Sequence, residues 1–231
     1  MRRRARTVVT RRARPRLAWF SWATLCLVST VVVGSAQEAS EASALVRQLG
    51  QFPAAIDNRI SKGTGQKPPA EQRRERIYLR LRTLADTALP ALQRGLTDPD
   101  VQVRRNVALY LEWEGGNYGK HAPMPLNLRP FLPQLAQALR DEDERVKALA
   151  AQALAHVGSA AVIAVPDLIR LLRDPREGLR NSACIGLAGI GPAARAALPA
   201  LRHALTDPSI TVRGFAYRAI ERIDRRQLLM P

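Results

Sequence analysis

Apolar residues along most of this chain recur at the three- and four-residue spacing of helices that pack by one face. Leu198, Leu201 and Leu205 form one such stripe, Leu45, Val46 and Leu49 another, and Ile77, Tyr78, Leu81 and Leu84 a third. A second, longer period lies over the first. The segment LPALQRGLTDPDVQVRRNVALYL from Leu89 returns as LPQLAQALRDEDERVKALAAQALAHVG from Leu132, as VPDLIRLLRDPREGLRNSACIGLAGIG from Val165 and as LPALRHALTDPSITVRGFAYRAIERI from Leu198. Its marker prolines are Pro90, Pro133, Pro166 and Pro199, and its marker acids Asp98, Asp141, Asp174 and Asp207, at successive spacings of 43, 33 and 33 residues. One unit is therefore 33 residues, and the first interval carries a ten-residue insertion. A fixed period of this size marks units that bury their apolar faces only against neighbouring units.

Each unit predicts two helices. The marker proline sits in a first turn, where a missing N–H costs nothing, and opens a helix A of about eleven residues. A turn follows, with the marker Asp and, in three units, Pro99, Pro175 or Pro208. Helix B is predicted from near Val103, Val146, Leu179 and Val212. It combines the small residues Ala150, Ala183 and Ala216, which let helices approach closely, with Leu111, Leu154, Leu187 and Ile220. The pairs Gly158-Ser159 and Gly191-Pro192 end helix B, as a glycine beyond the last turn does. Upstream, residues 71–86 predict the second helix of a degenerate capping pair, whose first helix spans about 40–50. The stretch SKGTGQKPP from Ser61 between them predicts a flexible loop, and its GTGQK lacks the spacing of a phosphate-binding loop.

Over residues 88 to 224 these motifs resemble HEAT repeats, in the short bacterial form grouped with phycobilisome-lyase-like repeats, whose pattern is LPxLxxxLxDxxxxVRxxAxxALxxIG. The resemblance implies an all-α, right-handed solenoid of stacked antiparallel helix pairs. On this reading residues 37–87 are a helical capping region with a flexible loop at 57–70. Residues 88–226 are the repeat domain, with units at 88–115, 131–158, 164–191 and 197–224 and an insertion at 115–128. Two departures from the pattern stand at its ends: Gly115, Gly116, Asn117 and Tyr118 replace the usual close of the first unit, and Asp224 takes the glycine position of the last. Terminal units of a solenoid are often atypical because one face lacks a neighbour.

The N-terminal pattern is of another kind. Eight arginines, Arg2, Arg3, Arg4, Arg6, Arg11, Arg12, Arg14 and Arg16, precede the uncharged run LAWFSWATLCLVSTVVVGSA, which gives way to Gln37, Glu38 and Glu41. A basic segment, an apolar core and the small residues Gly34 and Ala36 have the layout of a secretory signal, so residues 1–36 predict a signal peptide cleaved after Ala36. The alternative is an uncleaved membrane anchor through residues 17–36, long enough to span a bilayer. Both place the repeats outside the cytoplasm, either periplasmic or secreted after cleavage or membrane-anchored. The residues ARPRL after Arg12 lack the apolar continuation of a twin-arginine signal, and Leu25 before Cys26 argues against a lipoprotein box.

Composition refines this picture. With 46% apolar and only 5% aromatic residues, the chain holds enough apolar material for a core, and its Ala- and Leu-rich character suits helices. Two cysteines, Cys26 and Cys184, exclude a disulfide framework or a C-x-x-C pair. The formal charge of +16 invites a nucleic-acid reading, but half of it comes from the eight N-terminal arginines.

Candidate chemistry is sparse. Six places after each marker Asp stands a base: Arg104, Lys147, Arg180 and Arg213. These form either a basic ladder for phosphates or acidic partners, or internal partners of the turn aspartates in their own or neighbouring units. The faithful recurrence of the acids favours the second reading. Eleven places after Asp stand Leu109, Gln152, Ile185 and Arg218, which do not make a cationic stripe. The insertion EWEGGNYGKHAPMP, Glu112 to Pro125, offers Trp113, Tyr118, Lys120 and His121 as candidate partner contacts; alternatively Trp113 folds against helix B. His121, His156 and His203 are scattered, and no catalytic constellation, metal spacing or cofactor motif is present. Cys184 sits at a small-residue position and predicts a buried core thiol. The expected function is that of an exported, non-catalytic scaffold docking an unidentified protein partner, without a cofactor. The resemblance also implies a bilin-lyase-like or chaperone role as an alternative. Nucleic-acid binding through a basic solenoid face is a third, which export disfavours.

Overall fold

A computed structural model describes residues 22–52, 69–116 and 126–224, with side chains from residue 35 onward. Contacts divide the chain into two units, residues 1–37 and residues 38–231. In the first unit the described backbone is the opening part of helix α1, Trp22–Leu49. The arginine-rich start, most of the predicted 57–70 loop with its GTGQK sequence, and the insertion residues 117–125 lie outside the described residues.

The second unit is built entirely from helices among its described residues. After α1 come α2, Pro69–Leu84, and then four pairs: α3, Leu89–Gly95, with α4, Val101–Gly115; α5, Leu132–Ala138, with α6, Glu144–Val157; α7, Val165–Leu171, with α8, Glu177–Ile190; and α9, Leu198–Ala204, with α10, Ile210–Asp224. The B helices pack in chain order, α4 on α6, α6 on α8 and α8 on α10. Residues 69 and 70, expected in the capping loop, already belong to α2.

The A helices are shorter than the predicted eleven residues. Each has seven, and each is led by a 3₁₀ segment: Ala85–Ala88, Arg129–Phe131, Gly158–Ala164 and Gly191–Ala197. The marker proline explains this. It is the second residue of every A helix and has no N–H to continue an incoming α-helix, so the preceding residues close in tighter turns. In the last two connections the chain enters those turns directly from helix B through Gly158 and Gly191, whose φ values of 72° and 68° favour glycine.

The B helices start two residues earlier than predicted, because the residue two after the marker Asp is the cap. The Asp100 carboxylate accepts from the Gln102 N–H, that of Asp143 from the Arg145 and Val146 N–H groups, and Ser209 Oγ from the Thr211 and Val212 N–H groups. Arg176 holds the corresponding place before α8 without a capping side chain.

One apolar layer runs through the stack, with Leu135, Leu139, Val146, Leu154, Leu168, Leu187, Leu201 and Ile220 sealed from solvent. Each such leucine contributes about 2 kcal/mol. The B helices approach to backbone contact: a Cβ on Gly186 would stand 2.8 Å from the Ala151 carbonyl oxygen, and one on Gly189 would collide with Ala155. At the start of the stack, the buried Asn106 amide donates to the Leu49 and Phe52 carbonyls at 3.1 and 3.0 Å, tying the end of α1 to α4. Tyr78 Oη of α2 donates to the Asn106 carbonyl at 3.0 Å.

Candidate functional site: the turn ladder and the helix B groove

The four marker aspartates do the same local work. Each accepts the backbone N–H two residues on, Asp98 from Asp100, Asp141 from Asp143, Asp174 from Arg176 and Asp207 from Ser209, at 2.8–3.0 Å. This folds the turn that launches helix B. In three units the base six places later is an arginine, one helical turn into helix B, that closes back over the same turn. Nη1 of Arg104 donates to the Asp98 and Pro99 carbonyls, that of Arg180 to Asp174 and Pro175, and that of Arg213 to Asp207 and Pro208.

The remaining edge of the guanidinium reaches forward. Arg104 Nε and Nη2 donate to the Asp141 carboxylate of the next unit at 2.8 and 3.1 Å, and those of Arg180 to Asp207 at 2.7 and 2.9 Å. Both pairs are about nine-tenths buried. The hydrogen bonds that Arg180 donates hold the Asp207 carboxyl below the usual carboxylate range, while the acceptors Asp141 and Asp207 raise Arg104 and Arg180. Each arginine thus satisfies carbonyls of its own turn and a carboxylate of the following one. Lys147, a point charge without the guanidinium fork, acts on Asp174 only through its field. There Arg176 supplies the bidentate contact, at 2.9 and 3.0 Å, and also reaches Glu144 at 3.2 Å. Arg213 makes the backward contacts alone among the described residues.

A different surface lies open along the B helices. Residues of α4, α6 and α8, with the cap residue Arg176, line a groove of about 730 Å³ that includes Arg105, Glu144, Arg145, Gln152, Arg176 and Ser182. Its walls are partly fixed: Arg105 forks onto Asp143, and Gln152 Nε2 donates to Ser182 Oγ at 3.1 Å. Arg145 has no hydrogen-bond or ion-pair acceptor for its guanidinium among the described residues. Spacing alone did not reveal this groove, because Arg105, Arg145 and Arg176 occupy different positions within their units and meet only when the units stack.

Of the four candidate contact residues in the insertion, only Trp113 is described. It is half-buried against the core, its ring centroid 6.2 Å from that of Tyr78, which in turn lies 5.0 Å from Tyr110. Tyr118, Lys120 and His121 lie outside the described residues. Beside Trp113, Glu114 stands where the other units have Val157, Ile190 and Ile223. It is 4% exposed, its Oε1 has no hydrogen-bond partner, and Arg82 Nε approaches its other oxygen to only 3.9 Å. Burial raises the Glu114 carboxyl despite that arginine. Cys184 is sealed in the stack and burial pushes its thiol up to about 12, far from a thiolate nucleophile. No group of three or more His, Cys, Asp or Glu able to hold a metal occurs among the described residues.

Residues 132–221, which contain the ladder's last three rungs and most of the groove, match the family model of HEAT repeats. They are HEAT repeats. No curated protein matches the chain. Among solved structures, a designed armadillo repeat protein in complex with the peptide (KR)4 is similar at a TM-score of 0.56 and 20% identity, over 79% of this chain and 81% of that one. An engineered protein is similar at 0.54 and 21%, over 83% and 92%. The complex of CpcE and CpcF of phycocyanin lyase from Nostoc sp. PCC7120 is similar at 0.53 and 23%, over 77% and 70%. At these identities the likeness concerns fold: an all-α repeat solenoid of the HEAT and armadillo type, a scaffold architecture typically used to bind proteins and peptides.

Proposed function

We propose that this HEAT-repeat protein is an exported, non-catalytic scaffold whose groove along α4, α6 and α8 docks an extended segment of a partner protein. The observation that carries the reading is the groove itself, a cleft floored by rigid stacked helices and lined by side chains that hydrogen-bond. Its charge narrows the partner. Arg105 and Arg176 are neutralised in place, while Arg145 presents a guanidinium without a described acceptor, so a segment carrying a carboxylate fits best. The structurally similar armadillo design is in complex with the basic peptide (KR)4, so this architecture admits a peptide, with opposite charge preference expected here.

The ladder bears on the nucleic-acid alternative. Arg104 and Arg180 are committed to turn carbonyls and carboxylates, which removes them as phosphate contacts. Export rests on the residue pattern of 1–36, and N-terminal sequencing of the protein from cells tests it: a chain beginning at Gln37 supports cleavage, and one beginning at Met1 supports the anchor. For the scaffold, crosslinking in the envelope fraction followed by affinity measurement is the decisive test. Arg145→Glu is expected to weaken the recovered complex about tenfold or more, and Arg173→Glu, outside the groove, to leave it unchanged. Equal affinity for both variants overturns the groove assignment, and an envelope without any crosslinked partner overturns the scaffold reading.

A further inference from the structure

The outward face of α10 differs from that of every other B helix. Ten residues after the marker Asp, the first three units carry Ala108, Ala151 and Cys184, each fully sealed beneath the next helix. The fourth carries Tyr217, 51% exposed, with Ile210, 76% exposed, two turns earlier on the same side. Between them lies Gly214, where a Cβ would meet nothing within 4 Å. Arg213 adds a guanidinium held in place by two turn carbonyls, and the edge that in Arg104 and Arg180 grips the next aspartate has no described acceptor.

The charges on this face are self-complementary. Arg213 lies four residues before Tyr217 and Glu221 four residues after it, each about 6 Å along the helix from the midpoint. Two antiparallel copies of α10 crossing at Tyr217 on a two-fold axis set each residue before the midpoint against its counterpart after it in the other copy. Arg213 of each chain then faces Glu221 of the partner subunit, twice, and each Tyr217 has open room beside Gly214 of the partner subunit. Isologous contacts of this kind close at two copies.

We propose that α10 is a homodimer interface and that its occupant is a second copy of this chain. The full chain, solubilised in detergent, is expected to sediment as a dimer. Arg213→Glu and Glu221→Arg are each expected to weaken the dimer about tenfold or more, and the double exchange to restore it. Tyr217→Cys, on the axis, is expected to give a disulfide-linked dimer on mild oxidation, whereas Arg129→Cys, in the 3₁₀ segment that leads into α5, is not. Circular dichroism checks that each variant is folded. A monomer at every concentration overturns the proposal, and so does a dimer whose strength neither charge reversal changes. Neither result touches the groove, whose test residue Arg145 lies on α6.

Discussion

Arg180 shows how much a single residue type decides here. Its fork serves two carbonyls behind and one carboxylate ahead, so truncation leaves acceptors in both turns without a donor. Arg180→Ala is expected to cost about 2–4 kcal/mol, read as a fall in the urea midpoint, and Arg180→Lys to recover only part of it. Glu114 makes the opposite case. Its raised carboxyl means that the protonated form suits the core, so its contribution is fully present below the ordinary glutamate pKa and is lost as pH rises through the raised value. Glu114→Gln removes that loss, and the stability of the variant relative to the parent is expected to climb with pH above the ordinary glutamate range. The spacing of base to acid was visible in the sequence. The direction of the bond was not, because a six-residue offset fits a backward contact to carbonyls and a forward contact to a carboxylate equally well.

At the scale of the elements, pairing and order were legible because the 33-residue period repeats both apolar stripes in register. Helix A is shorter than its apolar stripe predicts, since apolar spacing cannot separate an α-turn from the 3₁₀ turns that lead into each marker proline. The groove was illegible for a related reason: its arginines, Arg105, Arg145 and Arg176, come from three units and hold different positions in the repeat. Contact between α6 and α8 rests on glycine, and Gly189→Ala, which sets a methyl against Ala155, is expected to cost about 1–3 kcal/mol in thermal or urea unfolding. The turns add a pH term. Asp143, Asp174 and Asp207 are held below the usual range by Arg105, Arg176 and Arg180 respectively. Their stabilisation is therefore complete above the ordinary aspartate pKa and is lost as pH falls through the lowered values. Acid unfolding of Asp207→Asn is expected to be shallower than that of the parent over that window.

For the whole molecule, the forward reach of Arg104 and Arg180 has a consequence beyond stability. No bond of the ladder reaches beyond the next unit, so no residue refers to the total number of units. Excising residues 165–197, one full period, would deliver Asp207 to Lys147 in the place Asp174 now holds, and inserting a period would leave every existing rung with a mate. Such a molecule can lengthen or shorten by gene duplication or loss in whole steps of 33 residues without passing through a mismatched intermediate. Its span can then change in whole units while the rules of its assembly stay constant.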